Sequence, residues 1–264
     1  MEARARRLVL AILTAASALA AAPQSTTDLV GLARAYLTGY QKELSYLLAD
    51  EATEQHVSAR GQALGRRLTR GEFFLTYVPG QNLWMSVHDV ADVDGQPVGD
   101  RDAFHAALQQ GSLADLGRRL LEQNSRFNIG HVTRNFNEPT LALAVLDVAQ
   151  RSRFKFDHKG SALTFKEIGR PTFVRSVRGR DVAADGRIEL EDATGRVLKT
   201  SIHFDADDVS AWLTTTYERD AKLDIWVPAR FEERYERSRN PQETVLVEST
   251  YTNYRRFQAT VRIR

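Results

Sequence analysis

The order of apolar and polar positions divides the chain into three parts. An unbroken apolar stretch runs from Leu8 to about Ala18, interrupted only by Thr14 and Ser17. Beyond it, Leu29, Leu32, Tyr36, Leu37, Tyr40, Leu44, Leu47 and Leu48 recur at intervals of three and four, which predicts a long amphipathic helix from Asp28, as N-cap, to about residue 50. The period then changes. Leu68–Val78 and Leu83–Val90 are rich in β-branched and aromatic residues and flank a Pro-Gly-Gln-Asn cluster, so they read as strands. Asp94-Gly95 is a two-residue hairpin signal, because both turn positions need positive φ.

Helical spacing returns from Arg101, giving a short helix that ends at Gly111, a second capped by Ser112, and a third over 138–149 with Asn137 as N-cap. From 151 onward strand and turn alternate, with turns marked by Asp185-Gly186 and Thr194-Gly195. Leu198, Thr200, Ile202 and Phe204 alternate with polar residues, and so do Phe257, Ala259, Val261 and Ile263. That is the half-buried period of an antiparallel sheet with one wet face. A large curved antiparallel sheet, with helices gathered on its concave face, would bury all of these stripes. The expected class is therefore α+β, a half-barrel in one domain over 23–264 with a helical insertion at about 101–149.

The opening residues change the electrostatic picture. Arg4, Arg6 and Arg7, the apolar stretch, and small residues at Ala18-Leu19-Ala20 and Ala20-Ala21-Ala22 form the three parts of a cleavable signal over 1–22. Arg6-Arg7 serves an ordinary basic n-region or a twin-arginine signal. The chain carries 36 basic and 34 acidic residues; the first 22 hold three Arg and one Glu, so cleavage leaves the two signs in balance. A balanced surface argues against nucleic acid, which demands a clustered positive field. No second apolar run is long enough to span a bilayer, so the expected product is periplasmic or secreted, with no integral membrane segment. The chain has no cysteine, which removes disulfides, thiol nucleophiles and zinc-thiolate or iron–sulfur sites.

Gly186-Arg187-Ile188-Glu189-Leu190-Glu191-Asp192-Ala193-Thr194-Gly195-Arg196-Val197 has the form strand, Asp-x-x-Thr-Gly, strand. With Trp226-Val227-Pro228 and Tyr251-Thr252-Asn253-Tyr254-Arg255-Arg256-Phe257, it resembles the outer-membrane lipoprotein-carrier superfamily. The chain is also similar to a group of exported bacterial proteins with this ending. The resemblance implies a half-open antiparallel barrel closed by helices and carriage of a lipid or acyl chain. It transfers no binding residues.

Candidate chemistry is sparse. The six histidines (56, 88, 105, 131, 158 and 203) form no metal-binding spacing, and Asp89, Asp92 and Asp94 do not fit a calcium loop. No cofactor or metal is expected. Residues 122–137 gather Glu122, Ser125, Arg126, Asn128, His131 and Arg134 between two helices. A hydrolase would need Ser125 within reach of His131, and no G-x-S-x-G elbow is present. A polar junction that satisfies loop backbone explains the same residues. If the stretch binds a ligand, Arg126, Asn128 and Arg134 are the expected receivers of an anionic group. Trp212, Tyr217, Trp226, Phe231, Tyr235, Tyr251, Tyr254 and Phe257 either line a cavity under the sheet or fill it. The expected function is non-catalytic binding of a hydrophobic ligand; the alternative is an interaction module for an envelope protein.

Overall fold

The computed structural model describes residues 25–78, 83–108, 119, 122–134, 138–176 and 178–257. The signal expected at 1–22, the turn at 79–82, the Ser112 and Asn137 caps and the alternation after Phe257 lie outside these residues. Helix α1 (Thr26–Glu43) is capped by Ser25, whose hydroxyl accepts from the Asp28 amide while the Asp28 carboxylate accepts from the Ser25 amide. Asp28 is thus the third-residue partner of a capping box rather than the cap itself. The helix stops seven residues before the expected end. Tyr46 takes a left-handed φ of 57°, and Leu47 opens a strand. Leu44 and Leu47 fit a helical interval, but the buried series Leu47, Ala49, Glu51 has the period of a strand.

The strands are β1 (Leu47–Ala59), β2 (Gln62–Val78), β3 (Leu83–Val93), β4 (Gln96–Pro97), β5 (Phe154–Lys159), β6 (Ala162–Glu167), β7 (Val174–Arg175), β8 (Asp181–Val182), β9 (Ala184–Glu191), β10 (Arg196–Ala206), β11 (Val209–Asp220), β12 (Ile225–Arg237) and β13 (Glu243–Arg256). Eleven of them make one antiparallel sheet in the order β4-β3-β2-β1-β13-β12-β11-β10-β9-β6-β5, and β7 and β8 form a separate pair. The β3–β4 hairpin turns on Asp94 and Gly95, both at positive φ. Asp185-Gly186, by contrast, lies inside β9 rather than in a turn. In β10 a bulge between Val197 and Lys199 shifts the phase, so Val197, Thr200, Ile202 and Phe204 face inward and Leu198 does not.

The sheet must be curled, because α1 touches strands far apart within it. Thr26 meets His158 of β5 at 2.5 Å, and the Tyr40 ring lies 6.4 Å from Trp84 of β3. Those strands are nine spacings apart, about 43 Å if the sheet were flat. The two helical residues are separated by only about 21 Å of helix. The result is an open half-barrel with α1 lying in its concavity. The core follows from this arrangement: Tyr40, Phe73, Phe231, Tyr217, Tyr251 and Tyr254 are all buried around the helix.

Between β4 and β5 the described residues contain α2 (Arg101–Leu108), a helical turn at 122–126, and two 3₁₀ segments at Leu141–Leu146 and Val148–Gln150. The expected helix at 138–149 is therefore wound more tightly than an α-helix, with Ala142, Leu143, Val145 and Leu146 buried. No helix among the described residues is long and apolar enough to cross a membrane.

Candidate functional site

The stretch 127–134 runs across the concave face, where its backbone polar groups need partners. The strands beneath supply them with side chains. Glu243, at the start of β13 and 4% exposed, accepts from the amides of His131 and Val132 at 2.5 and 2.8 Å, and its second oxygen faces His131 Nδ1 at 3.0 Å. Gln55 of β1 accepts from the Ile129 amide and donates to the Phe127 carbonyl, which Arg67 also reaches. Asn128 closes the turn by donating to the Arg134 carbonyl at 2.9 Å. Gly130 sits at φ 90°, and a β-carbon there would come 3.2 Å from the Glu243 carboxylate.

Under this turn the concave face is polar. His88 Nδ1 lies 2.9 and 2.8 Å from the two carboxylate oxygens of Glu51, with both side chains buried. Glu233 is 3% exposed and accepts a hydrogen bond from the Tyr235 hydroxyl. Burial drives the Glu233 carboxyl upward from its ordinary range, opposed by the charge of Arg134 and the Tyr235 hydrogen bond. Arg134 is 2% exposed, and its guanidinium lies 5.6 Å from the Tyr235 ring centre. Its Nη2 donates to Gln55 Oε1 at 2.7 Å and to the Ile129 carbonyl at 3.1 Å. Its Nε and Nη1 are buried and have no hydrogen-bond partner.

Arg134 also lines a groove of about 480 Å³ between the turn and the hairpin end of β10–β12. Val132, Leu141, Val182, Phe204 and Leu213 make its apolar wall, and His131, Arg175 and Arg237 stand at its polar parts. The volume falls within the range of roughly 300–1,000 Å³ typical of small-molecule sites. A packed aromatic core occupies the concave face around α1. Of the aromatic residues that could line or fill it, Tyr217, Phe231, Tyr251 and Tyr254 are core, Tyr235 is buried at the groove, and Trp212 and Phe257 are exposed.

The three residues expected to receive an anion are placed differently. Arg134 enters the groove, and Asn128 holds the Arg134 backbone. Arg126 is exposed, lies over the Phe127 ring and pairs with Asp100 at 2.9 Å. The Ser125 hydroxyl donates back to the Glu122 carbonyl, while His131 faces Glu243, so these hydrogen bonds run to different groups. Asp94 and Asp92 accept from the Leu68 and Gly95 amides, as hairpin residues do. Among the described residues no group of three His, Cys, Asp or Glu side chains could hold a metal ion.

Glu51, Gln55 and Glu243 escaped the motif search, and Glu233, which the charged series 230–237 would place on a solvated strand face, is buried, although one signal was available. Glu51 and Gln55 share the inward parity of Leu47, Ala49 and Val57, and Glu233 shares that of Phe231 and Tyr235. A carboxylate at an inward strand position is a buried charge that requires a partner.

No protein-family model matches the chain, and no curated protein matches it. Several solved structures do, among them the group that the 186–197 and 226–257 segments resemble. An outer membrane lipoprotein-sorting protein domain from Vibrio parahaemolyticus aligns over 88% of this chain and 93% of its own, at 11% identity and a TM-score of 0.39. A LolA superfamily protein from Nitrosomonas europaea aligns over 89% and 95%, at 10% identity and a TM-score of 0.30. An S-type phycobiliprotein lyase from Guillardia theta aligns over 90% and 100%, at 8% identity and a TM-score of 0.31. Scores this low, spread over proteins so differently named, assign no activity to the chain.

Proposed function

We propose that the protein is an exported, non-catalytic carrier that holds a hydrophobic ligand in the groove between β10–β12, the 131–134 stretch and Leu141. The observation that carries this reading is an apolar-walled space of about 480 Å³ beside the packed core of the concave face. Burying apolar ligand surface against such a wall contributes about 25 cal/mol per Å² removed from water, which favours a chain-like hydrocarbon over a polar metabolite. Export is supported by the three-part leader of residues 1–22, and without cysteine the domain is held by its core alone. The carrier reading requires no chemistry at Ser125 or His131.

The test is native mass spectrometry on protein purified without detergent, with an organic extract of the same sample analysed for lipids. A stoichiometric adduct that disappears on extraction is the expected result. A bare polypeptide mass from protein refolded and then incubated with excess lipid would overturn the proposal and favour the envelope-interaction module. The same spectrum gives the mass of the mature chain and so tests cleavage near residue 22.

A further inference from the structure

We propose that the groove is built for an anionic amphiphile, a single apolar chain ending in a carboxylate or phosphate, and that Arg134 receives the charged end. This rests on the carrier reading and narrows it.

The basic side chains around the groove are unequal. Arg237 lies 3.4 Å from Asp208, Arg175 3.7 Å from Asp181, and His131 3.0 Å from Glu243. Arg134, the most deeply buried of them, has no carboxylate within ion-pair distance among the described residues. Its hydrogen bonds go to two neutral oxygens, those of Gln55 and Ile129, and Nε and Nη1 remain unpartnered. A guanidinium does not lose its proton in a protein, so burial cannot be relieved by neutralisation. It needs an anion. Glu233 feels its charge, but that carboxyl holds the Tyr235 hydroxyl and is itself driven by burial toward its neutral form. A ligand anion would meet the unused N–H groups.

The surroundings fit the rest of such a ligand. Tyr235 covers one side of the guanidinium, which excludes water and strengthens a charge-assisted hydrogen bond. Val132, Leu141, Phe204 and Leu213 continue the wall away from Arg134 as apolar surface. A charged end and a hydrocarbon body are therefore matched by adjoining parts of one groove.

Binding to the protein as purified should be measured calorimetrically with dodecanoate, dodecyl phosphate, dodecanol and inorganic phosphate. Both long-chain anions should bind roughly tenfold or more tighter than dodecanol, as expected for a hydrogen bond to a buried charge. Inorganic phosphate alone should bind far more weakly than dodecyl phosphate. Arg134→Gln should remove the preference for anions over dodecanol, and Arg134→Lys should retain part of it. Because Arg134 also holds the Ile129 carbonyl, Arg126→Gln serves as a second variant that removes an exposed positive charge from the same segment and leaves Arg134 and its contacts in place; it should preserve the preference. Dodecanol binding as tightly as dodecanoate, or a preference that survives Arg134→Gln or vanishes in Arg126→Gln, would overturn the role of Arg134 and leave the carrier reading intact. Failure of every long-chain probe to bind would remove both.

Discussion

Gly195 rests directly on the backbone of Leu32: a β-carbon on the glycine would stand 2.3 Å from the Leu32 carbonyl carbon. The β9–β10 turn is thereby seated on helix α1, which ties the N-terminal helix to the middle of the sheet. Gly195 also takes a φ of 69°, where any side chain is strained. Gly195→Ala should lower stability by about 2–3 kcal/mol, read from urea unfolding. An unchanged midpoint would show that helix and turn separate easily.

Glu243 is the second tie. Its carboxylate serves the His131 and Val132 amides, and Glu243→Ala would leave both without an acceptor. The expected cost is about 2–3 kcal/mol, with faster hydrogen exchange confined to 129–134. Exchange that rises evenly over the whole sheet would argue against a local clamp.

Much of this was legible in the sequence, and the exceptions have physical causes. The open antiparallel sheet with helical segments on its concave face followed from periodicity, because one-sided burial imposes a period of two on a strand. The end of α1 did not. Leu44, Leu47 and Leu48 satisfy the helical interval, while Leu47 also opens the inward strand series Leu47, Ala49, Glu51, and the left-handed Tyr46 separates the elements. At the site, Arg134 and Asn128 were visible as polar residues in a loop. Their partners Gln55 and Glu243 come from strands that begin and end the main sheet-forming chain, a juxtaposition that only the β1–β13 pairing creates.

Glu233 supplies a pH dependence. Its carboxyl titrates higher in the folded protein than the ordinary 4.5 of the unfolded chain. Between those two values the folded state binds more protons than the unfolded one, so this residue's contribution to stability falls as pH rises through that window. Above it the penalty is constant. Glu233→Gln should therefore raise the melting temperature at neutral pH relative to the parent, and the gain should shrink toward pH ~4. A gain equal at both pH values would mean that Glu233 is not held toward its neutral form.

Ala211 lines the groove and makes none of the hydrogen bonds that hold the 127–134 turn. Ala211→Trp places a large side chain into that space without altering Arg134. Loss of the lipid adduct in native mass spectrometry, with the unfolding midpoint shifted only slightly, is the expected outcome. An adduct that persists would locate the ligand elsewhere.

The pairing of β1 with β13 has a consequence for the order in which the molecule is made. Leu47 lies opposite Arg256 and Ser58 opposite Thr244, so one edge of β1 finds its partner only in the last strand. With roughly 200 residues between them and synthesis at about 5–20 residues per second, that edge stays open for some ten to forty seconds. Until β13 emerges, the β2–β3 side and the β10–β12 side are two unjoined sheets, and the clamp at Glu243 does not exist. The closing strand supplies the join and the clamp together. The turn that carries Arg134 is thus fixed over the concave face only once β13 is in place, and a chain cut short before residue 243 would release with the edges of both β1 and β12 unguarded.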